Sequence, residues 1–203
     1  MLLTEKYRPA SINEFVGLDK AKRICARLAS NPFDTALLFV GASGTGKTTI
    51  ALALADEMMA ELHHIPSQGC TVEAIKDLRQ RLAYLPSMGK RAHLVLVDEA
   101  DQMSLAAQLA LLSILDTTNR PENTVFVFTC NETLRFEARF LSRCMTIDFS
   151  SYGIAKDATS LLARVWENEA NGAPAPNFAR IVKEANNNIR ASLMELQKEL
   201  LLA

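Results

Sequence analysis

The segment Gly41-Ala42-Ser43-Gly44-Thr45-Gly46-Lys47-Thr48 has the residue types and spacing of a phosphate-binding loop. Glycines let the backbone turn its N–H groups inward to cradle phosphate oxygens. Lys47 supplies a point charge for the β- and γ-phosphates, and the Thr48 hydroxyl can ligate magnesium; Thr49 follows directly. A second constellation lies about fifty residues on. Leu94-Val95-Leu96-Val97 is apolar at every position, and Asp98-Glu99 follow it at once. A carboxylate there is the natural outer partner of a magnesium ion, and a second one beside it can polarise an attacking water. The chemistry this implies is hydrolysis of a nucleoside triphosphate, with ATP and Mg2+ as the cofactors. The competing readings are an ordinary glycine-rich turn and two solvated acids capping a helix. Asp98-Glu99-Ala100-Asp101 also spells a helicase tetrapeptide, but a helicase core needs a second sheet domain, for which 203 residues leave little room.

Such residues work only if strands and helices hold them. Short β-rich runs occur at Ala36–Val40, Leu62–Ile65, Leu94–Val97, Thr124–Phe128 and Met145–Phe149. Helical spacing occupies about Asp19–Leu28, Lys47–Ala60, Val72–Leu82 and Ser104–Thr117. Strands alternating with helices predict an α/β fold, a parallel sheet flanked by helices. The loop at Gly41 sits between a strand and a helix, the context its chemistry requires. After Phe149 the character changes. Ser150-Ser151-Tyr152-Gly153 reads as a linker, and three amphipathic stretches follow, around Leu161, Ile181 and Leu193. The expected organisation is a sheet domain over residues 1–150 and a small three-helix lid over 151–203.

Bulk properties narrow the class. The formal net charge of −1 argues against a protein that coats nucleic acid by bulk attraction, though a local basic track is compatible with it. The start of the chain lacks the apolar core of a signal peptide, and no apolar run approaches the ~20 residues of a membrane span, so a soluble intracellular protein is expected. The four cysteines are far apart, without zinc-knuckle spacing, and are expected to be free thiols. His63-His64 are adjacent but have no other ligand type nearby at useful spacing, so a half-exposed strand is the expectation there.

The ordered set Tyr7-Arg8-Pro9, Val16-Gly17, the phosphate loop, Asp98-Glu99, Thr129-Cys130-Asn131 and Leu141-Ser142-Arg143-Cys144 resembles the AAA+ ATPase subunits of sliding-clamp loaders, of the replication factor C small-subunit and phage type. The Ser-Arg-Cys triplet after a Cys-Asn pair is the most specific element. The resemblance implies that Asn131 is the first sensor, orienting water, and that Arg143 is an arginine finger reaching into a neighbouring subunit's site. It implies that Arg190 is the second sensor and that Tyr7, Arg8, Pro9, Val16 and Gly17 surround adenine. A loop asparagine, a structural salt bridge, a solvated helix residue and a covering N-terminal arm are the respective competing readings. The resemblance further implies other clamp-loader subunits or copies of this chain as partners in a ring or spiral, with a sliding clamp and primer-template DNA. Lys76, Arg79, Arg81, Lys90 and Arg91 are the candidates for DNA contact, set against a solvated face. Family members usually carry a third, helical collar domain, which this chain is expected to lack. The alternatives are a helicase loader, a branch-migration motor, or a non-catalytic ATP-binding scaffold.

Overall fold

A computed structural model describes residues 1–202. Five parallel strands form one sheet: β1 (Thr35–Val40), β2 (Ala60–Pro66), β3 (Ala92–Asp98), β4 (Thr124–Cys130) and β5 (Met145–Asp148), in the order β2-β3-β4-β1-β5. The helices are α1 (Leu3–Lys6), α2 (Asp19–Ser30), α3 (Lys47–Glu57), α4 (Val72–Arg81), α5 (Leu105–Leu115), α6 (Ala138–Leu141), α7 (Ala155–Glu169), α8 (Phe178–Glu184) and α9 (Ile189–Leu202).

Side-chain alternation along the strands divides the core in two. Leu37, Phe39, Leu94, Leu96, Val125 and Val127 face α2 and α3, where Cys25, Leu28, Ile50 and Leu54 complete a buried cluster. Ala36, Leu38, Val95, Val97, Phe126 and Phe128 face α4, α5 and α6, against Ile75, Leu78, Leu111 and Phe140. The inner strands β3 and β4 are therefore apolar almost throughout, while the edge strand β2 alternates between shielded and exposed positions. A third cluster unites α7, α8 and α9 through Leu162, Val165, Trp166, Ile181, Val182, Leu193 and Leu196. Leu3 of α1 belongs to this cluster, and its N–H donates to Gln197 Oε1 at 3.0 Å. The start of the chain thus packs on the last helix.

The boundaries differ from expectation where backbone conformation changes. The helix from Lys47 stops at Glu57, short of Ala60, because Met59 takes a left-handed φ of 52°. Its carbonyl then accepts the Arg91 N–H at 2.9 Å, so β2 begins at Ala60 rather than Leu62. The Ser104 hydroxyl accepts the Ala107 N–H at 3.2 Å, capping α5 rather than joining it. Strand β4 runs on to Cys130, two residues beyond the expected end, because Gly41 N–H bonds its last carbonyl. Asn171, Gly172, Asn186 and Asn187 all take left-handed conformations, and they separate the three final helices. Among the described residues, no helix is long and apolar enough to cross a membrane.

Candidate functional site

All five strands point their carboxyl ends to one edge, and the candidate residues leave from there. The phosphate loop follows β1, Asp98 ends β3 with Glu99 next, and Asn131 follows β4. The connection leaving β1 runs toward the β2 edge while the one leaving its neighbour β4 runs the other way, to β5, and open α/β sheets bind ligands at such a switch point.

The loop is held by close approach. A side chain at Gly41 would collide with the Phe149 carbonyl, where β5 ends beside β1. Gly44 has a φ of 79°, and a Cβ there would stand 2.6 Å from Asn188 Oδ1 and 3.2 Å from Arg190 Cβ. Thr45 Oγ1 donates to the Ala42 carbonyl at 2.8 Å. Lys47 opens α3, is buried, and donates to the Gly41 carbonyl at 2.6 Å, the Ala42 carbonyl at 2.9 Å and Asn131 Oδ1 at 3.2 Å. Burial pulls its ammonium below the usual lysine range, opposed by Cys130, Asp101 and Asp98 nearby. An unneutralised ammonium in that position favours an incoming anion.

Thr48 Oγ1 donates to Asp98 Oδ1 at 2.7 Å. Thr129 Oγ1 donates to the same carboxylate oxygen and accepts the Glu99 N–H at 3.0 Å. One hydroxyl therefore fixes both acidic residues. Glu99 itself takes a left-handed φ of 53°, a conformation costing a non-glycine residue about 1–3 kcal/mol, and its side chain is exposed at the mouth of the site. A hydroxyl and a carboxylate in contact, beside a loop built for phosphate, are the hard oxygen donors that Mg2+ takes. Thr48 and Asp98 would hold it there, and it would neutralise phosphate charge.

Ser43, Gly44, Gly46, Lys47, Thr48, Thr49, Asp98, Glu99, Thr129, Asn131 and Arg190 line one polar recess. It shares Gly44, Gly46, Thr48, Thr49, Asp98 and Arg190 with a larger cleft of about 820 Å3. Tyr7, Arg8, Pro9 and Val16 line that cleft with Phe15, Leu161, Arg164 and Leu193. Gly17 lies beside it, packed where a side chain would meet Ile154 Cγ2 at 2.6 Å. Tyr7 Oη donates to Glu169 Oε1 at 2.6 Å, and Lys6 pairs with the same carboxylate at 2.6 Å, so the N-terminal arm is anchored on α7. Arg143 is the candidate that stands apart. It lines neither recess nor cleft, and its guanidinium pairs with Asp116 Oδ2 at 3.2 Å and donates to the Arg139 carbonyl at 2.9 Å. The salt bridge weighed for it in sequence exists.

Two residues at the site escaped sequence reasoning. In sequence Thr129 is only the residue before Cys130-Asn131; the fold sets it between Asp98 and Glu99. Asn188 Nδ2 donates to the Ser43 carbonyl at 2.6 Å, while its Oδ1 accepts the Ala191 N–H and caps α9. No local pattern distinguishes Asn188 from its two asparagine neighbours; only the fold brings it to the phosphate loop.

A phosphate loop after the inner strand β1, acids at the end of β3 two places along the sheet, and a helical unit across the cleft define a P-loop nucleotide-binding module of the α/β class. The chain belongs to the AAA family: the family described as "ATPase family associated with various cellular activities (AAA)" matches residues 37–152. It is 35% identical to replication factor C small subunit 1 of Pyrobaculum islandicum, over 72% of this chain and 46% of that protein. It is 31% identical to replication factor C small subunit 2 of Pyrobaculum aerophilum, over 95% of this chain and 62% of that protein. The chain thus spans about half to three-fifths of these relatives' length. Among solved structures, the Thermotoga maritima RuvB Holliday junction branch migration motor shares the fold, with a TM-score of 0.72 at 18% identity over 94% of this chain and 64% of that one.

Proposed function

We propose that this chain is an ATP-hydrolysing clamp-loader subunit that helps open a sliding clamp or load it onto primer-template DNA. It divides into a sheet domain, residues 1–150, and a helical lid, 151–203, with the N-terminal arm clasped by the lid. ATP binds between them. Lys47 and the loop N–H groups hold the phosphates, with Thr49 beside them, and Tyr7, Arg8, Pro9, Val16 and Gly17 surround the base. Thr48 and Asp98 would hold Mg2+, which would supply charge neutralisation. Glu99 accepts a proton from the attacking water, which Asn131 orients. Arg190, at the start of α9, touches the γ-phosphate and couples its loss to the lid angle. Arg143 serves the site of a neighbouring subunit, because arginine's permanent, forked charge suits a transition state approached from outside. Lys76, Arg79, Arg81, Lys90 and Arg91 are exposed on α4 and the loop after it, where a DNA backbone can be tracked.

The observation that carries this reading is the shared cleft, to which the phosphate loop, Asp98, the N-terminal arm and α9 all contribute. The choice among DNA transactions leans on similarity to replication factor C subunits. Likeness to RuvB favours a branch-migration motor as the second reading, but at 18% identity it speaks for fold alone. The test measures ATP turnover with and without partner subunits, sliding clamp and primer-template DNA. Turnover is expected to be slow alone and to rise when clamp and primed DNA are present together. Stimulation by a four-way junction but not by clamp and primer would select the second reading.

A further inference from the structure

The opposite, amino-terminal edge of the sheet holds a cluster with no part in the nucleotide cleft. Glu61 and His63, two residues apart on β2, share one face of the strand, and β3 places His93 opposite Glu61. In sequence His93 stands thirty residues from His63. The fold brings Glu61, His63 and His93 together, with one ligand atom from each, all within 4.8 Å of one another.

The hydrogen bonds decide which atoms are available. His93 is 2% exposed, and its Nε2 lies 3.0 Å from the Tyr84 carbonyl. A carbonyl only accepts, so the ring hydrogen belongs on Nε2 and the Nδ1 lone pair of the neutral ring is free. That Nδ1 faces His63 Nε2 at 3.0 Å and Glu61 Oε2 at 3.9 Å. A histidine that donates one ring N–H to a backbone carbonyl and aims the other nitrogen at further donors has the arrangement of a metal ligand. Tetrahedral zinc, with bonds of about 2.0–2.1 Å, sets its ligand atoms roughly 3.3 Å apart, between the two separations found here.

We propose that Glu61, His63 and His93 form a zinc site that pins the loop from Tyr84 to Arg91 onto the sheet edge. Two imidazoles and a carboxylate are borderline donors that suit zinc better than magnesium or calcium. The fourth position opens to solvent, because Glu61 and His63 are only half-buried. The positive charge of Arg81 near His63 opposes a cation, and the Glu61 carboxylate offsets it. The loop is tied at two points: the Tyr84 carbonyl on His93, and Ser87, whose N–H and hydroxyl both donate to Glu61 Oε2, at 2.7 and 2.8 Å. Metal binding would therefore stiffen a segment that exposes Leu85 and Met88 together with Lys90 and Arg91.

The alternative is that His63 simply donates to His93 and no metal enters. Calorimetry on the chelator-stripped, nucleotide-free chain separates the two. One zinc ion per chain is expected, with a dissociation constant in the micromolar range or below. Cobalt(II) at the same site should give the intense visible absorption of tetrahedral coordination. His63→Ala should weaken zinc at least about tenfold, and Glu61→Gln should weaken it less. Zinc should slow amide exchange over residues 84–91 in the wild type and leave His63→Ala unchanged. Absence of saturable one-to-one binding in the wild type overturns the proposal. So does equal zinc affinity in a His63→Ala variant whose circular dichroism is native.

Discussion

Thr129 illustrates how much one hydroxyl can organise. It donates to Asp98 and accepts from the Glu99 backbone, so it orients both acids. Thr129→Val, of similar shape, should leave the sheet folded, cost about 1–3 kcal/mol in urea denaturation, and lower ATP turnover more than ATP affinity. Glu99→Gln isolates proton acceptance: an amide cannot take a proton from water. Calorimetry should find ATP binding retained while steady-state hydrolysis falls by about 10²–10⁴-fold. Wild-type turnover in that variant would move the base elsewhere. The thiols make a different prediction. Burial pushes Cys25, Cys130 and Cys144 up to about 12 and Cys70 to about 11, from 9.0 for a free thiol. A group whose folded value is raised contributes stability fully below its unfolded value, and that contribution is lost as pH climbs towards the folded one. The urea midpoint should therefore fall as pH rises from 9 towards 11, and Cys25→Ala should lessen the fall. A midpoint that holds steady or rises in that window would contradict this.

At the scale of elements, the phosphate loop and α9 are coupled through Asn188. Its side chain caps the helix with one end and grips the Ser43 carbonyl with the other. Losing the cap alone costs roughly 1 kcal/mol. If α9 also reports on the nucleotide, Asn188→Ala should weaken ATP binding beyond what lost stability explains. Asn186→Gly provides the comparison, since its left-handed φ of 51° suits glycine and it makes no bond to the loop. Equal ATP affinity in both variants would reduce the Asn188 contact to packing. The N-terminal arm has a parallel role: Tyr7 and Lys6 both end on Glu169 of α7, so cleft wall and helical unit are tied together.

For the whole molecule, the telling placement is Arg143. It sits between α6 and β5, paired with Asp116, while every other catalytic candidate lines the recess. A guanidinium placed away from its own phosphate loop fits the role proposed for it at another chain's site. Arg143→Ala should leave ATP binding by the isolated chain intact and impair hydrolysis only in an assembly, where arginine fingers are worth about 10³–10⁵ in rate. Mixing Arg143→Ala with Lys47→Ala chains provides the test, because each lacks a different half of a shared site. Activity above either variant alone supports the composite site. No recovery in a mixed assembly shown to form would leave Arg143 with only its bridge to Asp116.

Local chemistry made much of this protein legible from its residues. The phosphate loop, the acids after an all-apolar strand and the strand-helix alternation are each written in contiguous sequence, because backbone turns, burial on both faces and helical periodicity are short-range properties. What required tertiary structure was which distant groups meet. Strand order puts β1 between β4 and β5, and so brings Asn131 onto Lys47 across eighty-four positions. The packing of α9 carries Asn188 to Ser43, and parallel pairing of β2 with β3 sets His93 against His63. These contacts arise from sheet register and helix docking, which depend on burying three apolar clusters at once, and no window of neighbouring residues contains that information.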